Sequence, residues 1–176
     1  VWPDVTVLGC FFHWSQAVLR KLRSIGLQSA YTNDSKVHKY CRLIFALPFL
    51  PSHKIPKAFA KLFRKAFTPQ LQELVSYVRS NWIDSKTWPP ECWSVHRRVI
   101  RTNNDVEGWH HRLNSKARKN SLPFYVLLKL LHREASFVTW QLKFLSDGKV
   151  LRLQRSCYRS FSEKLEKLWD SYDANK

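Results

Sequence analysis

With 176 residues, 44% of them hydrophobic and 14% aromatic, the chain suits one packed domain and is too apolar to be disordered. Its 30 Lys and Arg against 13 Asp and Glu give a formal net charge of +17, which points to a polyanionic partner, above all nucleic acid. No apolar stretch approaches the ~18 residues that span a bilayer, so no membrane partner is expected.

Residues 6–12, Thr-Val-Leu-Gly-Cys-Phe-Phe, are short, apolar and β-branched at their start. They predict one buried strand after a turn at Trp2-Pro3-Asp4. A helix is expected over 15–26, with Ala17, Val18, Leu22 and Ile25 on one face and Gly26 as its stop. Further helices are expected over 34–47, closed by Pro48 and Pro51, over 56–67, and over 69–82. Pro89 and Pro90 make 84–94 a loop, and 95–100 reads as a short extended segment. A helix over 104–119 precedes the longest one, which Pro123 opens and which runs to about 145. Phe124, Leu127, Leu131, Val138, Leu142 and Leu145 form its expected core stripe. Asp147-Gly148 breaks the chain before helices over 149–158 and 161–172, the second opened by a capping box of Ser160 and Glu163.

Cations recur at helical intervals in two places, Lys54, Lys57, Lys61 and Arg64, then Lys149, Arg152, Arg155 and Arg159. Charged helix faces are commonly only solvated, but two faces almost without acids suit phosphate contact with double-stranded DNA. Arg97, Arg98 and Arg101, just before the helix at 104, are further candidates for DNA. Trp82, Trp88 and Trp93 suit packing better than base stacking. The four cysteines, Cys10, Cys41, Cys92 and Cys157, have no disulfide-framework spacing, which favours a reduced, nuclear setting. Cys10-x2-His13 and Cys92-x3-His96 are spaced like zinc ligands, but 79 positions separate His13 from Cys92, which makes zinc a poor candidate.

Three clusters carry a resemblance. Gly9-Cys10-Phe11-Phe12-His13 leads into Gln16-Ala17; Trp82-Ile83 and Trp93-Ser94-Val95 follow; Thr102-Asn103-Asn104 precedes Glu107-Gly108-Trp109-His110 and Leu113. In this order, over about residues 2–113, they resemble the back half of the catalytic region of Mutator-like (MULE-type) DNA transposases. The resemblance implies a mainly α fold with at least one β-strand. Residues 1–120 would be the C-terminal part of an RNase H-like core with a helical insertion at about 27–95, and 121–176 a helical tail.

It also implies a site of two Asp and one Glu holding two Mg²⁺ or Mn²⁺ ions, which clamp the attacking and leaving oxygens of strand cleavage and transfer. Glu107 stands at the family's Glu position and would ligate metal. His13 would act beside it, with Cys10, His110 and Trp109 in support. Asp4, Asp34, Asp84 and Asp105 match neither Asp context. The implied partner is therefore an upstream half of the transposase, and these residues alone would not cut DNA. The chain starts at Val1 without any Met and reads as a piece of a longer one. A non-catalytic, transposase-derived DNA-binding protein is the alternative reading, and a homo-oligomer stays open. Local sequence gives two residues simpler roles: Glu107 would close a capping box with Asn104, and His13 would be a core histidine beneath the strand.

Overall fold

The structure is a computed structural model that describes residues 8–98, 100–118, 121–146 and 156–174. Its elements are α1 (Phe11–Ser24), α2 (Gln28–Asn33), α3 (Ser35–Ala46), α4 (Ile55–Arg64), α5 (Pro69–Val78), α6 (Pro90–Trp93), α7 (Asn104–Ala117), α8 (Phe124–Ser146) and α9 (Ser156–Ala174). Short 3-10 turns, Leu47–Phe49 and Ser52–Lys54, join α3 to α4, and a π-helical turn, Arg79–Ile83, prolongs α5. The chain divides into two compact units, Val1–Asn103 and Asn104–Lys176.

No strand occurs among the described residues. The expected RNase H-like core with a β-strand is therefore corrected, for the described residues, to a mainly helical architecture without strands. Of the segment 6–12, Thr6 and Val7 lie outside the described residues, as does the turn at 2–4. Leu8, Gly9 and Cys10 have no regular structure, and Phe11 already opens α1. The reason is a competition of periods. Trp14, Val18 and Leu22 recur every four residues and are all buried, which is a helical repeat, whereas a short apolar run alone does not separate strand from helix. Cys10 does hold an extended conformation, but as the N-cap of α1. The Gly9 and Phe11 amides donate singly, to the carbonyls of Cys92 at 2.7 Å and Arg101 at 2.9 Å, with no ladder between them.

The stops and starts of the next helices follow from local chemistry. Gly26, at φ 73°, supplies the left-handed residue after α1. Its amide donates to Arg23 O, and the Leu27 amide donates to Leu22 O, which is the double bond of a Schellman motif. Leu22 and Leu27 are both buried at that corner. Asp34 caps α3 by accepting from the amides of Lys36 and Val37. Thr68 caps α5 through the Leu71 amide, with Pro69 in the first turn, where its missing N–H costs nothing. The loop expected over 84–94 contains one helical turn, α6, because Pro90 sits at that same tolerant position. The expected extended segment over 95–100 is instead a turn: Arg97 has φ 57°, while Val99 lies outside the described residues.

The first unit buries Trp14, Val18 and Leu22 of α1, Ile44 of α3, Ile55 and Phe59 of α4, and Leu71, Leu74, Val75 and Val78 of α5. Between α3 and α4 the Tyr40 hydroxyl donates to the Leu62 carbonyl at 2.7 Å. Burial pushes the Tyr40 hydroxyl up to about 12, which keeps it a donor at any physiological pH.

In the second unit, α7 and α8 meet through one acid. Glu134 is buried and accepts from Arg112 at 2.8 Å and from Lys116. The stripe expected as core on α8 is corrected: Phe124, Leu127, Leu131, Val138 and Leu142 are all exposed, and the Leu145 side chain lies outside the description. α9 also departs from expectation. It runs unbroken from Ser156, so Ser160 lies inside it and opens no capping box. Residues 147–155, which include the expected break and most of the helix over 149–158, lie outside the described residues.

Candidate nucleic-acid interface

α4 is built to show cations. Ile55, Phe59 and Leu62 recur on its buried side, so the residues between them face outward. Lys57, Lys61 and Arg64 are exposed, and Lys54 is half-buried at the start of the helix. α3 repeats the arrangement: Val37, Tyr40, Cys41 and Ile44 are buried, while Lys36, Lys39 and Arg42 are exposed. The two helices are pinned together by Tyr40 and Leu62. These α3 cations are absent from the sequence-based candidates. The signal that finds them is an absence of acid: residues 35–72 hold eight Lys or Arg (36, 39, 42, 54, 57, 61, 64, 65) and no Asp or Glu. Elsewhere in this unit cations are partly answered, as in the pairs Lys21–Glu73 at 2.6 Å and Arg79–Asp84 at 3.0 Å.

Of the second basic stripe, Arg159 is exposed on α9, while Lys149, Arg152 and Arg155 lie outside the described residues. The arginines before α7 divide by role. Arg98 donates to the carbonyls of Glu91 at 2.9 Å and Cys92 at 3.4 Å, and burial holds its pKa below the usual guanidinium value. It fastens the α6 turn. Arg101 donates to the Arg98 carbonyl and is half-buried, while Arg97 is exposed.

The residues of the first two clusters meet in space. Trp93 is stacked on Trp14 at 4.6 Å and 8°, and Trp82 stands edge-on to Trp14 at 4.9 Å and 80°. The Trp93 indole donates to the carbonyls of Trp82 and Trp88. Ser94 donates to Leu50 O at 2.8 Å, and the Val95 amide to Pro48 O at 2.7 Å. A Cβ on Gly9 would come within 2.9 Å of the Trp93 Cβ, so only glycine lets the backbone lie there. One position on, the Cys10 thiol lies 3.2 Å from Asn103 Oδ1. Positions 9, 10, 14, 82, 93 and 103 thus form one junction in which Trp14, Trp82 and Trp93 serve packing, whereas Trp88 is exposed.

His13 is exposed on α1, not a core histidine, since Trp14 and Val18 take the inward positions. Glu107 and His110 are exposed on α7 in the second unit, and Trp109 is half-buried with its ring 5.0 Å from His110. Asn104 is the first residue of α7. Glu107 therefore falls one position beyond that of a capping-box acid. Among the described residues no three His, Cys, Asp or Glu side chains could hold a metal ion. Glu107, a single exposed carboxylate, does not fit a two-metal site. No family, curated protein or solved structure matches the chain.

Proposed function

We propose that this chain is a duplex-DNA-binding protein of Mutator-like transposase origin, which holds DNA through phosphate contacts along α3 and α4. The observation that carries the reading is the acid-free stretch 35–72, whose two longer helices each bury an apolar side and expose three cations. Phosphate contact needs only positive charge presented at helical intervals, so it gives affinity with little sequence preference. The transposase origin rests on the order of the motifs, and it is supported by the packing of Gly9, Trp14, Trp82 and Trp93 into one junction.

Fluorescence anisotropy with a labelled duplex, over a range of salt, tests the reading. Affinity should fall linearly on logarithmic axes as salt rises; an affinity indifferent to salt overturns it. Glu107→Gln should bind DNA as well as the parent chain. Because Glu107 is exposed, its stability should shift by no more than about 0.5 kcal/mol in a denaturant titration.

A further inference from the structure

One aromatic ring lies open among the cations of the acid-free stretch. Of the aromatic residues in 35–72, Tyr40 and Phe59 are buried, Phe45, Phe49 and Phe63 are half-buried, and Phe67 alone is exposed, at 54%. Its position is nevertheless fixed. The Lys65 amide, two residues before it, donates to the Leu62 carbonyl at 2.9 Å, and Thr68, after it, caps α5. The ring stands edge-on to Tyr40, 6.1 Å away at 87°, and Tyr40 is itself tied to α4 through Leu62. A ring held in this way is ordered before any ligand arrives, so little freedom is lost when a flat partner stacks on it. We propose that Phe67 is a stacking platform for an unpaired base where a strand leaves the bound duplex.

Charge and direction select a nucleobase as the occupant. Arg64 and Lys65 are exposed and closely precede Phe67, and Lys36 and Lys39 are exposed on α3, the helix that carries Tyr40. An apolar partner without phosphate leaves these cations unanswered, and a second copy of a +17 chain is repelled. A nucleotide brings a flat π face and a phosphate together, which is what a ring beside cations takes. Direction follows from α4, whose cations advance from Lys57 through Lys61 to Arg64, three residues short of Phe67. A strand followed along α4 that way comes next to Phe67. Bases inside a duplex are stacked on one another and closed to a side chain, so the ring reaches a base only where pairing ends. The inference rests on the duplex-binding reading and names the DNA it selects, a duplex with a single-stranded overhang.

Fluorescence anisotropy of the whole chain with two labelled probes tests it. Both probes are one duplex with overhangs of equal length; one overhang carries bases and the other only abasic sugars, so their phosphates are identical. The parent chain should bind the base-bearing probe at least about fivefold more tightly, the lower end of what one stacked base contributes. Phe67→Leu keeps an apolar side chain against Tyr40 without a π face and should remove most of that preference, whereas Phe67→Tyr should keep it. A 2-aminopurine in the overhang, whose emission stacking quenches, should be quenched by the parent chain and by Phe67→Tyr but not by Phe67→Leu. Circular dichroism checks that both variants fold, and the comparison of probes with the parent chain needs no variant. Salt-dependent binding of equal strength to both probes, or an unchanged preference in folded Phe67→Leu, overturns the stacking site and leaves the duplex reading standing. Binding to neither probe, or binding indifferent to salt, overturns both.

Discussion

Replacing Lys57, Lys61 and Arg64 together by Ala removes the exposed charges of α4 while leaving Ile55, Phe59 and Leu62 in the core. Ala is the strongest helix former, so α4 should persist. From Lys57 to Arg64 the helix advances seven residues, about 10.5 Å at 1.5 Å each. One DNA strand presents a phosphate about every 3.4 Å along the axis, so the three cations can each meet one phosphate. With about 0.9 units of logarithmic salt slope per contact, the variant should lose about 2.7 units of slope. Between 50 and 200 mM salt, the parent chain's advantage over the variant should then shrink by about 40-fold. Anisotropy titrations of both proteins at several salt concentrations measure this, with circular dichroism to check that helix content is unchanged. Parallel salt lines for parent and variant would show that DNA does not lie along α4.

Gly9→Ala should lower stability by about 1–3 kcal/mol in urea unfolding, because its Cβ would meet the Trp93 Cβ at 2.9 Å and Cα at 3.1 Å. Unchanged stability would mean that the tryptophan junction yields easily. Glu134 makes the second unit acid-sensitive. The Lys116 hydrogen bond, with Arg112 and against the opposing effect of burial, holds its carboxyl below the ordinary 4.5. A depressed folded pKa means that the stabilisation is complete above the unfolded value and lost as pH falls through the folded one. Glu134→Gln should therefore flatten this acid loss while weakening the α7–α8 contact at neutral pH; unfolding curves with the same pH dependence in both proteins would refute the assignment.

Much of the helical punctuation was legible because it is local. Gly26, Asp34, Pro69 and Pro123 act within one turn of themselves, through left-handed backbone, side-chain capping and a tolerated missing N–H. The error at 6–12 has a physical origin too. Val7-Leu8-Gly9-Cys10-Phe11-Phe12 is apolar at every non-glycine position, so no period can be read from it, and the deciding residues, Trp14, Val18 and Leu22, lie downstream. In the candidate site, Lys57, Lys61 and Arg64 were readable from spacing, whereas the anchoring of Arg98 was not. Its carbonyl partners, on Glu91 and Cys92, exist only after α6 and the turn at Arg97 have folded.

The stripe on α8 shows what periodicity can and cannot say. Residues at i, i+3 and i+4 mark one side of a helix as apolar, but the same marks arise whether that side meets its own core or another chain. Only a long repeat separates the two, through its exact period. A straight helix of 3.6 residues per turn lets a seven-residue repeat drift by about 20° each heptad, so a long seam stays in line only when helices wrap about each other. From Phe124 to Val138 the repeat holds for two full heptads, and Leu142 continues it. A core-facing stripe needs no such regularity, because neighbours of different shape fill its gaps. Over the 18 residues from Phe124 to Leu142 that drift sums to only about 50°, which one side of a straight helix accommodates, so the stripe marks an apolar side of α8 without saying what meets it.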